Sequence, residues 1–571
     1  MDKYIGDKIM LELRGVVGQE KIYNASIAVA YVCYLAKTEI PNSMLSFDYR
    51  TIIERIDEPI VKNFLIKNLD NISNDVYNLF FSFNKEILES IIMDSKPESY
   101  RDCVEYTPDF IIDLANKILQ IEKDDIVNDI CTGIGTYIFK TYNNFPQARY
   151  IGYEINSDLV AILKLKSFII QSKSNRSSSD FNVSIINKDI LKDEIATKAD
   201  KAFMHMPFGL RANFITNFRE IKSSTPLLSS LKRSSSLDWA FIAYLLKSIK
   251  KDGMAIALTT VGTTFNLIDT TFREYFVKNG FLKAVISLPD KLMTNTSVKT
   301  ILYVFSSNSE SVKMIDASDV YVNERRQNVL SNENIEEIYD AYLKDGALSK
   351  TVSLQEIEAN DYILLPNRYL TSISFKNGVK LSDFLTVNRG APLKASELDE
   401  LSTIKQTGKK YLMLSDISDG LIDDELHNIT EIDASLENYI INENNLILSK
   451  IGSPFKVAIL NNRDSKILAN GNLYILKVDE TKANPYYIQA FLQSDLGQKV
   501  LESKAKGVQF SSISKGDLLD IEIPLPPIEE QNRIGESLKN SLNQIVDLSK
   551  KLKKEKIKIA SLFNMKSTGF K

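Results

Sequence analysis

The feature that most restricts the fold is a rhythm that begins near Ile126. Short apolar runs (Ile126-Val127, Tyr150-Ile151-Gly152-Tyr153, Val183 to Ile186, Ala199 to Met204, Met254 to Leu258) are separated by segments long enough to form helices. Parallel strands need such crossovers, so the alternation predicts a doubly wound α/β sheet. Ahead of it, residues 1–95 carry apolar positions at helix period, among them Ile22, Ile27, Val29, Val32 and Leu35, with little Gly or Pro, and predict a helical domain.

At 571 residues the chain exceeds one hydrophobic core, and roughly three to four folding units are expected. We divide it into the helical domain 1–95, an α/β core 96–345, a linker 346–378 where the pattern frays into polar connections, a mixed α/β domain 379–527, and a terminal helix 528–571. Gly390, Gly420, Gly452, Gly471 and Gly507 punctuate the fourth. The fifth opens after Pro526-Pro527 and repeats Leu538, Ile545, Leu552 and Ile559 every seventh residue, the spacing of a coiled-coil seam. The Ser-rich stretches 172–180 and 223–236 read as surface loops.

A net charge of −4 offers no global attraction for an acidic polymer, so any nucleic-acid site must be a local patch. Cys33, Cys103 and Cys131 lack the pairing of a disulfide framework or a zinc site, no metal-binding carboxylate cluster is evident, and a reducing cytoplasm is the default expectation. No apolar run approaches the roughly 18 residues of a membrane span.

The run "IVNDICTGIGTYIF" sets Asp129, Gly133 and Gly135 between a strand and a helix, where glycines let a ligand approach the backbone. "RYIGYEIN" ends the next strand at Glu154, placed to accept both hydroxyls of a ribose, and "SIINKDIL" supplies Asp189 for an adenine amino group. No lysine follows the glycines as in a phosphate-binding loop, so S-adenosylmethionine suits the pattern better than a dinucleotide, although spacing leaves the latter open.

"EYTPDFIIDLANKIL", the glycine turn, a strand ending at Met206-Pro207-Phe208, and then "LDWAFIAYLLKSIKKDGMAIAL" and "FREYFVKNGFLKAVISLPDKLMTNTSVKTILYVFS" together resemble the adenine-N6 DNA methyltransferases of type I restriction-modification systems, over about residues 100 to 370. The resemblance implies a Rossmann-like class I methyltransferase core that ends in antiparallel strands. It also implies that Tyr106, Thr107 and Pro108 close over the methionine part of the cofactor. Asp129-Ile130 stands where the family has Asp-Pro.

The family's catalytic motif is Asn-Pro-Pro-Phe or Asn-Pro-Pro-Tyr, and His205, Met206, Pro207 and Phe208 occupy it here. The motif accepts the N–H hydrogens of adenine's weakly nucleophilic amine on the Asn oxygen and the first Pro carbonyl, and stacks the flipped base on the aromatic ring. Phe208 and the Met206 carbonyl remain; the asparagine oxygen does not. A neutral imidazole has one acceptor nitrogen for that bond, whereas a protonated one would donate and repel.

Further on, "LSDFLTVNRGAPLK", "NNLILSKIGSPFKVAIL", "ANGNLYILKVD" and "PYYIQAFLQSDLGQKVLESKAKGVQFSSISKGDLLDIEIPLPPIEEQNRI" resemble one target-recognition domain of type I DNA-specificity subunits and the helix after it. Arg389, Lys394, Lys405, Lys409, Lys410, Lys450 and Lys456 are expected on loops, where they would neutralise phosphates of double-stranded DNA; for any single lysine, a solvated surface charge is the plainer meaning. The family's specificity subunits carry two recognition domains on paired helices, and this chain has one. Pairing of its terminal helix with a second copy or with other restriction-modification subunits is therefore expected, against a helix that folds back on its own core.

These readings describe a fused adenine-N6 DNA methyltransferase and specificity protein of a restriction-modification or phage-defence system. The alternative is a catalytically inactive methyltransferase fold that recognises DNA beside an active partner. Methylation of RNA or protein leaves the recognition domain without purpose.

Overall fold

The computed structural model describes residues 3–14, 16–17, 21–39, 49–95, 106–173, 182–193, 195–212, 219, 221, 227–232, 235–293, 296–325, 327–370, 375–460, 465–505 and 512–566. Cys103, Gly507, most of the Ser-rich stretch 172–180 and part of 223–236 lie outside these residues. The chain forms two compact units, 1–370 and 371–571.

Among the described residues of the first unit are eleven strands, the first five of them on the apolar runs: β1 (Ile126–Ile130), β2 (Arg149–Glu154), β3 (Val183–Asn187), β4 (Ala199–His205), β5 (Ile249–Thr260), β6 (Leu282–Ser287), β7 (Thr300–Phe305), β8 (Ser311–Asp316), the small hairpin β9 (Val322–Glu324) and β10 (Gln327–Val329), and β11 (Ser349–Ser353). Nine of them form one sheet in the order β11-β8-β6-β7-β5-β4-β1-β2-β3. The five from β3 to β5 are mutually parallel, and β7 runs antiparallel between β5 and β6. Every residue of β7 is buried, as expected of a strand covered on both faces. Chain order reverses between β1 and β4, and the carboxyl ends of strands at such a point border a ligand crevice.

One core joins the sheet to the helices Asp109–Leu119, Thr136–Asn144 and Asn332–Leu343. The N-terminal residues are helical, from Lys3–Arg14 to Lys85–Asp94, and their core is continuous with Leu159, Ile162, Leu165 and Ile169 of the helix Ser157–Lys173. Much of the expected linker is structured: β11 pairs antiparallel with β8, the Leu364 N–H donates to the Thr264 carbonyl at 2.9 Å, and Tyr369 is buried. The reason is Arg273, whose buried guanidinium donates to the Tyr362 carbonyl at 2.7 Å and to those of Thr263 and Asn266. A buried cation requires such acceptors, and residues beyond 345 supply one.

The second unit holds a four-stranded sheet (Leu385–Arg389, Leu473–Val478, Leu446–Ser449, Val457–Ile459) and a five-stranded one that includes Lys409–Leu412, His427–Ile429 and Lys466–Ala469. Its terminal helix, Ile528–Lys566, is fixed at its start by Gln531, which accepts from the Asn484 N–H at 3.0 Å and donates to the Pro526 carbonyl at 2.7 Å. Leu542 is buried, whereas Ile545, Leu548, Leu552 and Ile559 are exposed.

Candidate functional site

β1 delivers the chain into a turn in which Cys131, Gly133 and Gly135 all adopt positive φ. At Gly135 a Cβ would lie 2.5 Å from Leu163 Cδ2 and 2.6 Å from the Phe139 ring, so glycine is required for the turn to sit against both helices. Glu154, at the end of β2, is buried; its Oε2 accepts the Gly133 N–H at 2.8 Å and its Oε1 the Asn156 N–H at 2.9 Å. Asp189 follows β3, accepts the Leu191 N–H at 3.0 Å and faces Lys192 at 3.5 Å.

The three acids converge electrostatically. Burial pushes the Cys131 thiol well up, and Glu154, Asp129 and Asp189 each add to the push. Asp129 is raised well above the usual carboxylate range, by burial first and then by Glu154, and its Oδ2 has no hydrogen-bond partner. Glu154 is also raised by burial, against the backbone N–H groups of Asn156 and Gly133 that favour its charge.

Thr107 links this turn to the motif at the end of β4. Its N–H donates to Thr136 Oγ1 at 3.3 Å, beside Gly135, and its hydroxyl lies 3.0 Å from His205 Nδ1. Pro108 is buried and caps the helix Asp109–Leu119, while Tyr106 packs against the N-terminal helical core. His205 Nε2 is closed off from solvent with no partner, and burial lowers the imidazole to about 4, leaving it neutral at physiological pH. The Phe208 ring stands 4.9 Å from the imidazole, tilted by 48°. Met206 is buried, Pro207 is exposed, and the loop beyond is held by the Leu237 N–H on the Leu210 carbonyl.

Sequence reasoning missed Thr136, and it missed a buried carboxylate pair behind this loop. Asp238 opens the helix Asp238–Lys247 and accepts the Thr259 hydroxyl at 3.4 Å. Asp238 is pushed up to about 6 by burial and then by Asp269; Asp269 is pushed up to about 6 by burial against the pull of Arg273. Asp238 lies in the quoted stretch "LDWAFIAYLLKSIKKDGMAIAL", where its signal was an acidic residue inside an apolar run; Asp269, in "NLIDTTFRE", had no such signal. No group of three metal-binding side chains occurs among the described residues.

In the second unit the expected loop placement holds only in part. Lys394 and Lys405 are exposed outside strands, but Arg389 ends the strand Leu385–Arg389, and Lys409 and Lys410 open Lys409–Leu412, half-buried because their stems lie along the sheet. Lys450 follows Leu446–Ser449 and is held below the usual lysine range by burial first and then by the charge of Arg389. Lys456 donates to the Leu414 carbonyl at 3.0 Å, so its ammonium is already engaged.

No helix among the described residues is long and apolar enough to cross a membrane. Residues 87–377 match the family model for N-6 DNA methylase, and residues 376–558 the model for the type I restriction modification DNA specificity domain. The type I restriction enzyme MpnII methylase subunit of Mycoplasma pneumoniae is 26% identical over 297 residues, covering 47% of this chain and 53% of that protein. A putative type I restriction enzyme MjaX specificity subunit of Methanocaldococcus jannaschii is 29% identical over 181 residues, covering 30% of this chain and 41% of its own. The chain thus spans about half the length of the methylase relatives it matches. The type IIG restriction endonuclease BpuSI shares the fold, with 12% identity and a TM-score of 0.50 over 93% of this chain and 74% of that one. The chain belongs to the N-6 DNA methylase family and carries, in its second unit, a type I restriction modification DNA specificity domain.

Proposed function

We propose that the protein is a sequence-specific adenine-N6 DNA methyltransferase of a type I-like restriction-modification or phage-defence system, working in the cytoplasm with S-adenosylmethionine and with His205-Met206-Pro207-Phe208 as its catalytic corner. The observation that carries this is Thr107: one buried residue touches both Thr136 at the glycine turn and His205, making cradle and corner a single site.

The residues of the cradle suit the cofactor. A carboxylate offers about four acceptor positions, and Glu154 has committed two to backbone N–H groups, leaving room for two ribose hydroxyls. Gly133 adds no side chain to the turn, Gly135 lets it pack against both helices, and Asp189 would accept from an adenine amine. The orphaned Oδ2 of Asp129, in a field of buried acids, favours a cationic ligand. S-adenosylmethionine, when bound, supplies a methyl group made electrophilic by the sulfonium.

The chain's own groups prepare the nucleophile. The neutral His205 imidazole accepts one N–H of the flipped adenine's amine on Nε2 and the Met206 carbonyl accepts the other, concentrating electron density on the nitrogen. Phe208 stacks on the base. Arg389 and Lys450 neutralise DNA phosphates beside the side chains that read base edges. The exposed seam of the terminal helix pairs with a second copy, bringing two recognition domains to one double-stranded target.

The missing asparagine oxygen favours a second reading, a catalytically inactive subunit that holds DNA beside an active partner. Measuring N6-methyladenine in the genomic DNA of cells expressing the wild type or His205→Asn separates the two. Methylation by the wild type is the expected result; methylation by the Asn variant alone would establish the inactive subunit.

A further inference from the structure

Asparagine always carries a carbonyl acceptor, but a neutral imidazole presents a lone pair at Nε2 only if its proton resides on Nδ1. The partner of Nδ1 therefore decides what the corner shows to a base. That partner is the Thr107 hydroxyl, 3.0 Å away and 98 residues distant in sequence. We propose that Thr107 is a positioning residue that fixes the tautomer of His205: its Oγ1 accepts the Nδ1–H, leaving Nε2 as a bare acceptor.

A hydroxyl can play either part, so the direction of this bond has to be argued. Were Thr107 to donate, the ring proton would sit on Nε2, an atom closed off from solvent with no acceptor among its neighbours. A ring N–H is fixed in the imidazole plane and cannot turn away, and orphaned buried donors are rarer than orphaned acceptors. With Thr107 accepting, the stranded proton belongs instead to a hydroxyl, which rotates about its Cβ–Oγ bond to suit its surroundings. The substrate imposes the same choice. An adenine amine has two N–H donors and a delocalised lone pair, so it can be met only by an acceptor. The backbone of Thr107 has a separate task, since its N–H is held by Thr136 Oγ1 regardless of the side chain. Anchoring of the segment and orientation of the imidazole thus rest on different atoms of one residue.

This inference extends the methyltransferase reading, and its principal test requires no turnover. The chain has two histidines, and His427 is exposed, so 15N-histidine labelling of the full-length protein gives a two-site spectrum assignable with His427→Gln. At neutral pH, His205 is expected to show a protonated Nδ1 and an unprotonated Nε2. In Thr107→Val, which keeps the side-chain shape and the backbone bond, the proton moves to Nε2, and kcat on unmethylated genomic DNA falls by about 10- to 100-fold. Thr107→Ser restores the Nδ1–H form and most of the rate. A proton on Nε2 in the wild type overturns the proposal, as does a Val variant that keeps the Nδ1–H form; should the Val variant fail to fold, the wild-type and Ser spectra still decide. The expected tautomer in a protein that forms no N6-methyladenine would uphold Thr107's role and remove only the methyltransferase reading.

Discussion

Glu154 accepts the backbone N–H of Gly133 at 2.8 Å, tying the end of β2 to the turn that leaves β1. One carboxylate thereby shapes the turn and keeps acceptor capacity for a ligand. In Glu154→Gln an amide N–H₂ must replace one of two oxygens that now face backbone donors. Losing a charge-assisted bond costs about 1.5–3 kcal/mol, so S-adenosylmethionine should bind roughly 10- to 150-fold more weakly by calorimetry, with the far-ultraviolet circular dichroism unchanged.

His205 gives the first unit an acid-sensitive element. Its folded pKa of about 4 lies below the ordinary 6.5, so the unfolded chain takes up the proton first, and the stability present above pH 6.5 declines as pH falls through the window to about 4. Urea unfolding should lose about 2 kcal/mol from this residue between pH 7 and pH 5, and His205→Asn should flatten that slope. Methyl transfer should have an acidic limb near pH 4, absent in the Asn variant; a limb near 6.5 would show that the imidazole is not desolvated.

Asp238 and Asp269 act in the opposite direction. Both are raised from the ordinary carboxylate range to about 6, so the folded state holds the extra proton, and stability falls as pH rises from about 4 to 6 and stays lower above. Asp238→Asn should therefore stabilise this unit by about 1–3 kcal/mol at pH 8 and by far less at pH 5. The chain's single tryptophan, Trp239, is buried next to Asp238 and reports the transition by fluorescence.

Arg389 and Lys450 are the two cations proposed above to neutralise phosphates. Each Arg389→Gln or Lys450→Gln change should weaken DNA binding across sequences and lower the salt dependence by about one charge. Lys456→Gln should affect binding less, since its ammonium is spent on the Leu414 carbonyl. Fluorescence anisotropy at several salt concentrations distinguishes them; equal losses at all three positions would contradict this assignment.

Ile545, Leu548, Leu552 and Ile559 leave an apolar stripe on the terminal helix without cover from their own unit. Sedimentation should find a dimer, converted to monomer by Leu548→Lys with Leu552→Lys while the thermal melting of both units is retained. A wild type that is monomeric at micromolar concentration would exclude pairing through this helix.

How much of this was legible in the sequence follows from the range of the forces involved. Short apolar runs separated by helix-length segments announced β1 to β5, and the Gly133-Gly135 turn was legible because local backbone geometry restricts the residue type. β11 did not: its "SKTVS" is polar and only Ser349 and Val352 are buried, so it resembled a connection. Lys409 and Lys410 were assigned to a loop because charge suggests solvent, yet long stems let them occupy a strand. The Thr107–His205 contact had no local signature: each segment was singled out by itself, but tertiary folding alone joins them.

The guanidinium of Arg273 has a practical consequence for anyone dividing this polypeptide. An expression fragment cut at 345 would strand that cation without the oxygen of Tyr362 and strip β8 of the neighbour that covers its outer rim. Bare rims invite strand-to-strand aggregation, so the shortened protein should precipitate where one ending at 370 stays in solution.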